Sequence, residues 1–167
     1  MGPPALVVTA IALTGLTAAC GSAATPADGG ETEPSALSFE SVTTDGEAFD
    51  ASNLDGEDVV LWFWAPWCTI CRTEAPSVVA AAASNEDVRV IGVASSGSVE
   101  EMRAFVAETE TSSLTHVADV PGDVWRQFEV VAQPTFVFID DDGRTQTFAG
   151  ALSEEALIDA MAQLAAA

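Results

Sequence analysis

The chain has no lysine, only five basic residues (all arginine), a single histidine and three cysteines. Against those five arginines stand 26 aspartates and glutamates, for a formal net charge of −21. A field of that sign repels phosphate backbones and gives anionic lipid no polybasic handle, so it argues against nucleic acid as a partner. The acidity reads first as a well-solvated surface, with steering of basic partner proteins as a second reading. One histidine, His116, is too little to complete a zinc site around any cysteine pair, because zinc needs four ligands. Three cysteines do not make a disulfide framework either. What the chain does have is apolar residues, 49% of the total against 19% charged, enough to bury the core of one ordinary domain.

Residues 1–20 carry no charged side chain, and Ala5 to Ala19 run apolar and small up to Cys20. That length suits the core of a signal peptide better than a spanning helix, which needs about 20 apolar residues. Ala18-Ala19-Cys20 resembles a bacterial lipobox, although Thr17 stands where leucine is usual and no basic residue precedes the run. The resemblance implies lipid attachment at Cys20. A cleaved, freely secreted form and an uncleaved anchor stay open. Residues 21–37 read as a flexible acidic linker, with Pro26, Gly29, Gly30 and Pro34 among Asp28, Glu31 and Glu33. Residues 38–167 remain for the folded domain.

Within that domain strand and helix patterns alternate. Val59 to Ala65 is a continuous apolar and aromatic run, which predicts a strand buried on both faces. Helix formers follow from Cys71 to about Ala83, with Pro76 inside. Val88 to Val93 predicts a second buried strand, and Ser98 with Glu101 three residues later predicts a capping box opening a helix to Glu110. A short strand near Leu114 to Val117 and a helical turn near Asp123 to Phe128 come next. Thr135 to Ile139 reads as a strand, Asp141-Asp142-Gly143 as the turn into Thr145 to Phe148, and Ser153 to Ala166 as a closing amphipathic helix. Alternation followed by a late hairpin implies an α/β fold with a central mixed sheet and helices on both faces.

Cys68 and Cys71 stand three apart where the first strand meets its helix. A cysteine at a helix N-terminus is stabilised as thiolate by free amides and the positive end of the dipole. A second cysteine one turn in can close a disulfide with it or resolve a mixed disulfide. Cys68 is therefore expected as the exposed nucleophile and Cys71 as the buried resolving thiol. Zinc is the alternative use of Cys-x-x-Cys, and no second ligand pair is present. No metal and no separate cofactor are expected, because the cysteine pair itself carries the electrons.

Leu61-Trp62-Phe63-Trp64-Ala65-Pro66-Trp67-Cys68-Thr69-Ile70-Cys71-Arg72 resembles a thioredoxin-fold active site. Pro76 matches the helix-kink proline of that family, Val131-Ala132-Gln133-Pro134-Thr135 its cis-proline loop, and Asp140 to Gly143 with Gly150 its hairpin turn and final glycine. The sequence is most similar to the extracytoplasmic TlpA/ResA/DsbE-like group. That likeness implies a thioredoxin fold with an N-terminal extension and a central strand–helix insertion. It also implies a cis Pro134 and a substrate site built from Trp67, Gln133, Pro134 and Thr135. Glu74 falls where ResA-like proteins carry an active-site glutamate that moves protons, and its plain alternative is an exposed helix residue. Trp62 replaces the buried aspartate of thioredoxin, so a base must come from Glu74 or water. Arg72 has two readings, thiolate stabilisation or a surface ion pair. Trp64, Trp125 and His116 read as structural.

The function implied is an extracytoplasmic thiol–disulfide oxidoreductase that exchanges disulfides with exported cysteine-containing proteins, as a monomer with a membrane redox partner. Thr69-Ile70 does not fix the direction; oxidation is slightly favoured. A reductase for cytochrome c maturation and a copper- or haem-related delivery module of the same fold are the alternatives.

Overall fold

The computed structural model describes residue 2 and residues 35–167. Residues 1 and 3–34, with the expected signal peptide, Cys20 and most of the linker, lie outside the described residues. Packing begins a little ahead of the expected boundary at residue 38. Ser35 Oγ donates to Asp55 at 2.6 Å, the Gln127 side chain donates to Ala36 O at 2.8 Å, and Leu37 is buried.

Five strands form one sheet in the order β5-β4-β3-β6-β7. They are β3 (Asp58–Trp64), β4 (Val88–Ala94), β5 (Thr115–Ala118), β6 (Thr135–Ile139) and β7 (Thr145–Ala149), preceded by a hairpin of β1 (Glu40–Val42) and β2 (Ala48–Asp50). The helices are α1 (Thr69–Ser84), α2 (Val99–Glu108), α3 (Asp123–Gln127) and α4 (Glu154–Leu164), with a 3-10 turn at Ala51–Leu54. β3, β4 and β5 run parallel, β6 runs antiparallel to β3 and β7 antiparallel to β6, the mixed sheet expected from the sequence. α2 and β5 are the central insertion, and the β1–β2 hairpin with its 3-10 turn is the N-terminal extension.

Two cores form because the central strands alternate. Val60, Trp62 and Trp64 meet Cys71, Ala75 and Val78 of α1, Met102 and Phe105 of α2, and Leu157 and Met161 of α4. Val59, Leu61 and Phe63 face the opposite way, onto Trp125 of α3 and onto Leu37 and Ala51. Trp64 stacks on Phe105 with centroids 4.0 Å apart, and the Trp62 and Trp64 rings both meet His116 edge-on. Gly92 makes the room for them. A Cβ there would sit 2.2 Å from His116 Nδ1 and 2.8 Å from Trp64 Nε1.

The short hairpin shields the sheet's β5 edge, which would otherwise present unpaired backbone groups. Thr43 bridges Val117, and Thr44 N–H donates to His116 O at 2.8 Å. Arg103 of α2 fastens the hairpin by donating to Thr44 O. The other four arginines are engaged as well. Arg72 and Arg89 bridge to Glu108 and Glu57, Arg126 pairs with Asp123, and Arg144 spans Asp140 and Asp142. Helix starts follow the sequence: Ser98 and Glu101 form the reciprocal capping box of α2, and Ser153 caps α4.

Candidate active site

Register decides what meets at the site. Phe63 pairs with Thr135, Trp64 with Ala94, and Thr135 with Ala149. The turn leaving β3, the loop leaving β4, the loop entering β6 and the residue after β7 therefore share one end of the sheet. That end lies beyond the carboxyl ends of the parallel strands, where open α/β sheets place their ligands.

Cys68 and Cys71 form a disulfide with Cα atoms 5.3 Å apart. Cys68 is the N-cap of α1, and its Sγ accepts the Cys71 amide at 3.1 Å. One free amide in the first turn of a 16-residue helix thus points at this sulfur. Cys71 is fully buried, as expected. Cys68 differs from the expectation of an exposed nucleophile, because only 5% of its surface is open. In the disulfide its sulfur turns back over the first turn of α1, and exposure passes to its neighbours Trp67 (61%) and Ile70 (55%).

Trp67 is tethered although exposed, since its indole N–H donates to Ser96 O at 2.9 Å. Ser96 holds a left-handed backbone, with φ at 60°. The adjacent Gly97 lies against Pro66, whose Cγ would be 2.7 Å from a Cβ at position 97. From the helix side Arg72 donates twice to Pro66 O, at 3.2 and 2.9 Å, and lies 4.9 Å over the Phe105 ring. Its ion pair with Glu108 leaves it engaged with the turn and α2, which answers to the ion-pair reading of this residue. The loop ahead of α2 thus holds the Trp67 side of this turn, and Arg72 of α1 holds the Pro66 side.

The Gln133–Pro134 peptide is cis. Val131 is 97% exposed and Ala132 is exposed, while Gln133 is half-buried and Pro134 is buried. Pro134 O accepts the amide of Gly150, tying the loop to the end of β7. Thr135, expected in the substrate site, directs its side chain into the protein. Its hydroxyl turns inward to Ala132 O at 2.8 Å and the residue is buried, so it shapes the loop from within.

Glu74 lies one helical turn past Cys71 and is buried, which removes the alternative of an exposed helix residue. Trp62 donates to its Oε1 at 2.8 Å, while Oε2 has no hydrogen-bond partner. Burial pushes the Glu74 carboxyl up to about 7; the Trp62 N–H and the nearby Leu152 amide oppose that rise only in part. A carboxyl that can exchange a proton near neutrality therefore lies one helical turn along α1 from the buried cysteine. The family resemblance singled out Glu74, three residues past Cys71, but nothing in the sequence points to the indole that holds it. The tethers at Ser96 and Arg72 were equally invisible, because they depend on the path of the insertion.

His116 is buried on β5 with Nε2 on Thr111 O at 3.0 Å, and burial lowers its pKa below the ordinary histidine value. Among the described residues no group of three or more His, Cys, Asp or Glu side chains converges as a metal site.

A cysteine pair capping a helix beyond the carboxyl ends of the parallel strands, at the same end of the sheet as a cis-proline loop, defines a thiol–disulfide oxidoreductase of the thioredoxin fold. The chain belongs to the AhpC/TSA family, whose model matches residues 33–147. It is 39% identical over 132 residues to the soluble secreted antigen MPT53 of Mycobacterium tuberculosis, covering 77% of this chain and 75% of that one. The solved structure of MTB dsbF superposes with a TM-score of 0.77 at 39% identity, covering 80% of this chain and 99% of that chain. A secreted Mycobacterium tuberculosis disulfide oxidoreductase, described as homologous to E. coli DsbE, gives 0.74 at 36% identity over 77% and 98%. Among the described residues no helix is long and apolar enough to cross a membrane.

Proposed function

We propose that this oxidoreductase works outside the cytoplasm, tethered through a lipidated Cys20, and that it oxidises cysteine pairs in exported proteins. One observation supports the direction. The Cys68 sulfur accepts the Cys71 amide at the start of α1, where a thiolate is stabilised and the reduced pair is favoured. A protein whose reduced form is stabilised gives up its disulfide readily.

In this reading a substrate thiolate attacks Cys68 Sγ and the Cys68–Cys71 bond breaks. Its electron pair goes to Cys71, whose sulfur takes a proton from Glu74. The second substrate thiolate then attacks the substrate sulfur of the mixed disulfide, and Cys68 leaves as a thiolate. One substrate disulfide forms and one protein disulfide is reduced. A membrane redox partner must reoxidise the pair. Trp67, with Gln133 and Pro134 of the facing loop, receives the extended substrate segment. The exported relatives support the location, and the apolar run before Cys20 supports the tether.

The test is the reduction potential of residues 35–167, titrated against glutathione with Cys68→Ser and Cys71→Ser controls. A value near that of DsbA, about −120 mV, is expected. A value near that of thioredoxin, about −270 mV, would instead make the protein a reductase of the kind cytochrome c maturation uses. No redox couple, with stoichiometric copper binding by the thiols, would make it a delivery module. Cys20→Ser should release the protein from the cell membrane; an unchanged membrane fraction would refute the lipid tether.

A further inference from the structure

We propose that Trp62 is a positioning residue for the redox reaction: its indole N–H holds the Glu74 carboxylate beside Cys71 and sets how readily that carboxylate exchanges the thiol proton. The inference rests on Glu74 serving Cys71 as proton partner, as proposed above.

Trp62 is fully buried at the middle of β3, between Gly92 of β4 and Phe136 of β6. Its ring is confined by Trp64, Phe105 and His116, with centroids 6.0, 6.2 and 6.3 Å away. The missing side chain at Gly92 leaves the space that His116 and Trp64 fill, so these rings wall the indole in. From this fixed ring one N–H reaches Glu74 Oε1 at 2.8 Å, and no other side chain bonds the carboxylate. Oε2 is left without a partner, the oxygen at which a proton can come and go.

Burial of an indole does not by itself produce such a bond. Trp64, two residues on and equally buried in the same cluster, leaves its Nε1 with no acceptor. The Trp62 bond is therefore specific to the pairing of this strand position with the second turn of α1.

The titratable groups around the pair are few. Cys71 stands one turn earlier on α1, and His116 touches the far side of the Trp62 ring. Burial lowers the His116 pKa, so it adds no charge near neutrality. Glu154, Glu155 and Asp159 of α4, and Glu100, Glu101, Arg103 and Glu108 of α2, are exposed, and Arg72 of α1 points to Pro66 and Glu108. None of these charges contributes to the shift of Glu74, which burial, Trp62 and the Leu152 amide set between them.

Three measurements test the assignment. In the oxidised protein, where the cysteines do not titrate, the Trp62 indole N–H resonance and the Glu74 carboxyl carbon should titrate together near pH 7. In Trp62→Phe the Glu74 midpoint should rise by about one pH unit or more, the loss expected for a donor to a charged acceptor. The pH profile of thiol–disulfide exchange by the reduced protein should move by the same amount in Trp62→Phe. In a Glu74→Gln background Trp62→Phe should add no further displacement. A Glu74 midpoint unmoved in Trp62→Phe overturns the role of Trp62 alone. A Glu74→Gln profile identical to the unaltered protein overturns the proton role of Glu74, and with it this inference. Should Trp62→Phe fail to fold, the indole titration of the unaltered protein decides: no response between pH 5 and 9 refutes the proposal.

Discussion

Replacing Glu74 by glutamine removes a carboxyl group that this fold holds best when protonated. Its pKa rises from an ordinary 4.5 to about 7 on folding, chiefly because burial penalises the charge. Between those two values the folded chain keeps a proton that the unfolded chain has lost, so stability falls as pH rises through this window. Nothing is lost below pH 4.5 and no more is lost above pH 7. At about 1.4 kcal/mol for each pH unit between the two values, the full loss is about 3 kcal/mol, with about 2 kcal/mol gone by pH 6. Glutamine keeps an oxygen for Trp62 but carries no charge at any pH. Urea unfolding of the oxidised protein and of Glu74→Gln, from pH 4 to pH 8, measures the effect. Carboxylates common to both proteins cancel in the difference. The unaltered protein should lose about 3 kcal/mol relative to the variant across this range. A difference that stays flat with pH would refute the burial argument.

Gly92→Ala should destabilise the protein by about 1–3 kcal/mol, read from its urea midpoint, since the new methyl meets the His116 and Trp64 rings. Arg72→Lys should cost more than Glu108→Gln in the same assay. Lysine cannot reproduce the paired bonds to Pro66 O, whereas the Glu108 partner is well exposed and its ion pair is worth at most about 1 kcal/mol. Trp67→Ala should lower kcat/KM for a peptide disulfide or dithiol about tenfold with little change in unfolding midpoint, because this ring is exposed and held only by Ser96 O.

Much of this could be read from the chain because local rules and tertiary structure agree in its centre. The run from Val59 can only be a strand buried on both faces, the Ser98–Glu101 spacing is a capping box, and the cysteine pair sits where strand meets helix. The hairpin at residues 40–50 was expected only as an N-terminal extension, without its strands. Its strands are three residues each and half exposed, they pair only with each other, and the hairpin docks on β5 through a single bridge at Thr43. The inward turn of the Thr135 hydroxyl was hidden for a related reason. Its position beside the cis-proline suggested contact with substrate, whereas the strand it begins turns its hydroxyl inward. The environment of Glu74 is the clearest case. Helix periodicity sets its direction, but whether it meets water or an indole depends on where β3 passes.

The arginines have a consequence for how the molecule responds to its medium. All five are already bonded to carboxylates or backbone carbonyls, so no basic side chain is left over to offset the remaining acidic surface. Most of the ion pairs are exposed, and added electrolyte takes little from them. The same electrolyte screens repulsion among many more unpaired carboxylates, over a distance of about 8 Å at physiological ionic strength. Salt should therefore strengthen this fold, and the protein should be at its weakest in dilute, alkaline solution.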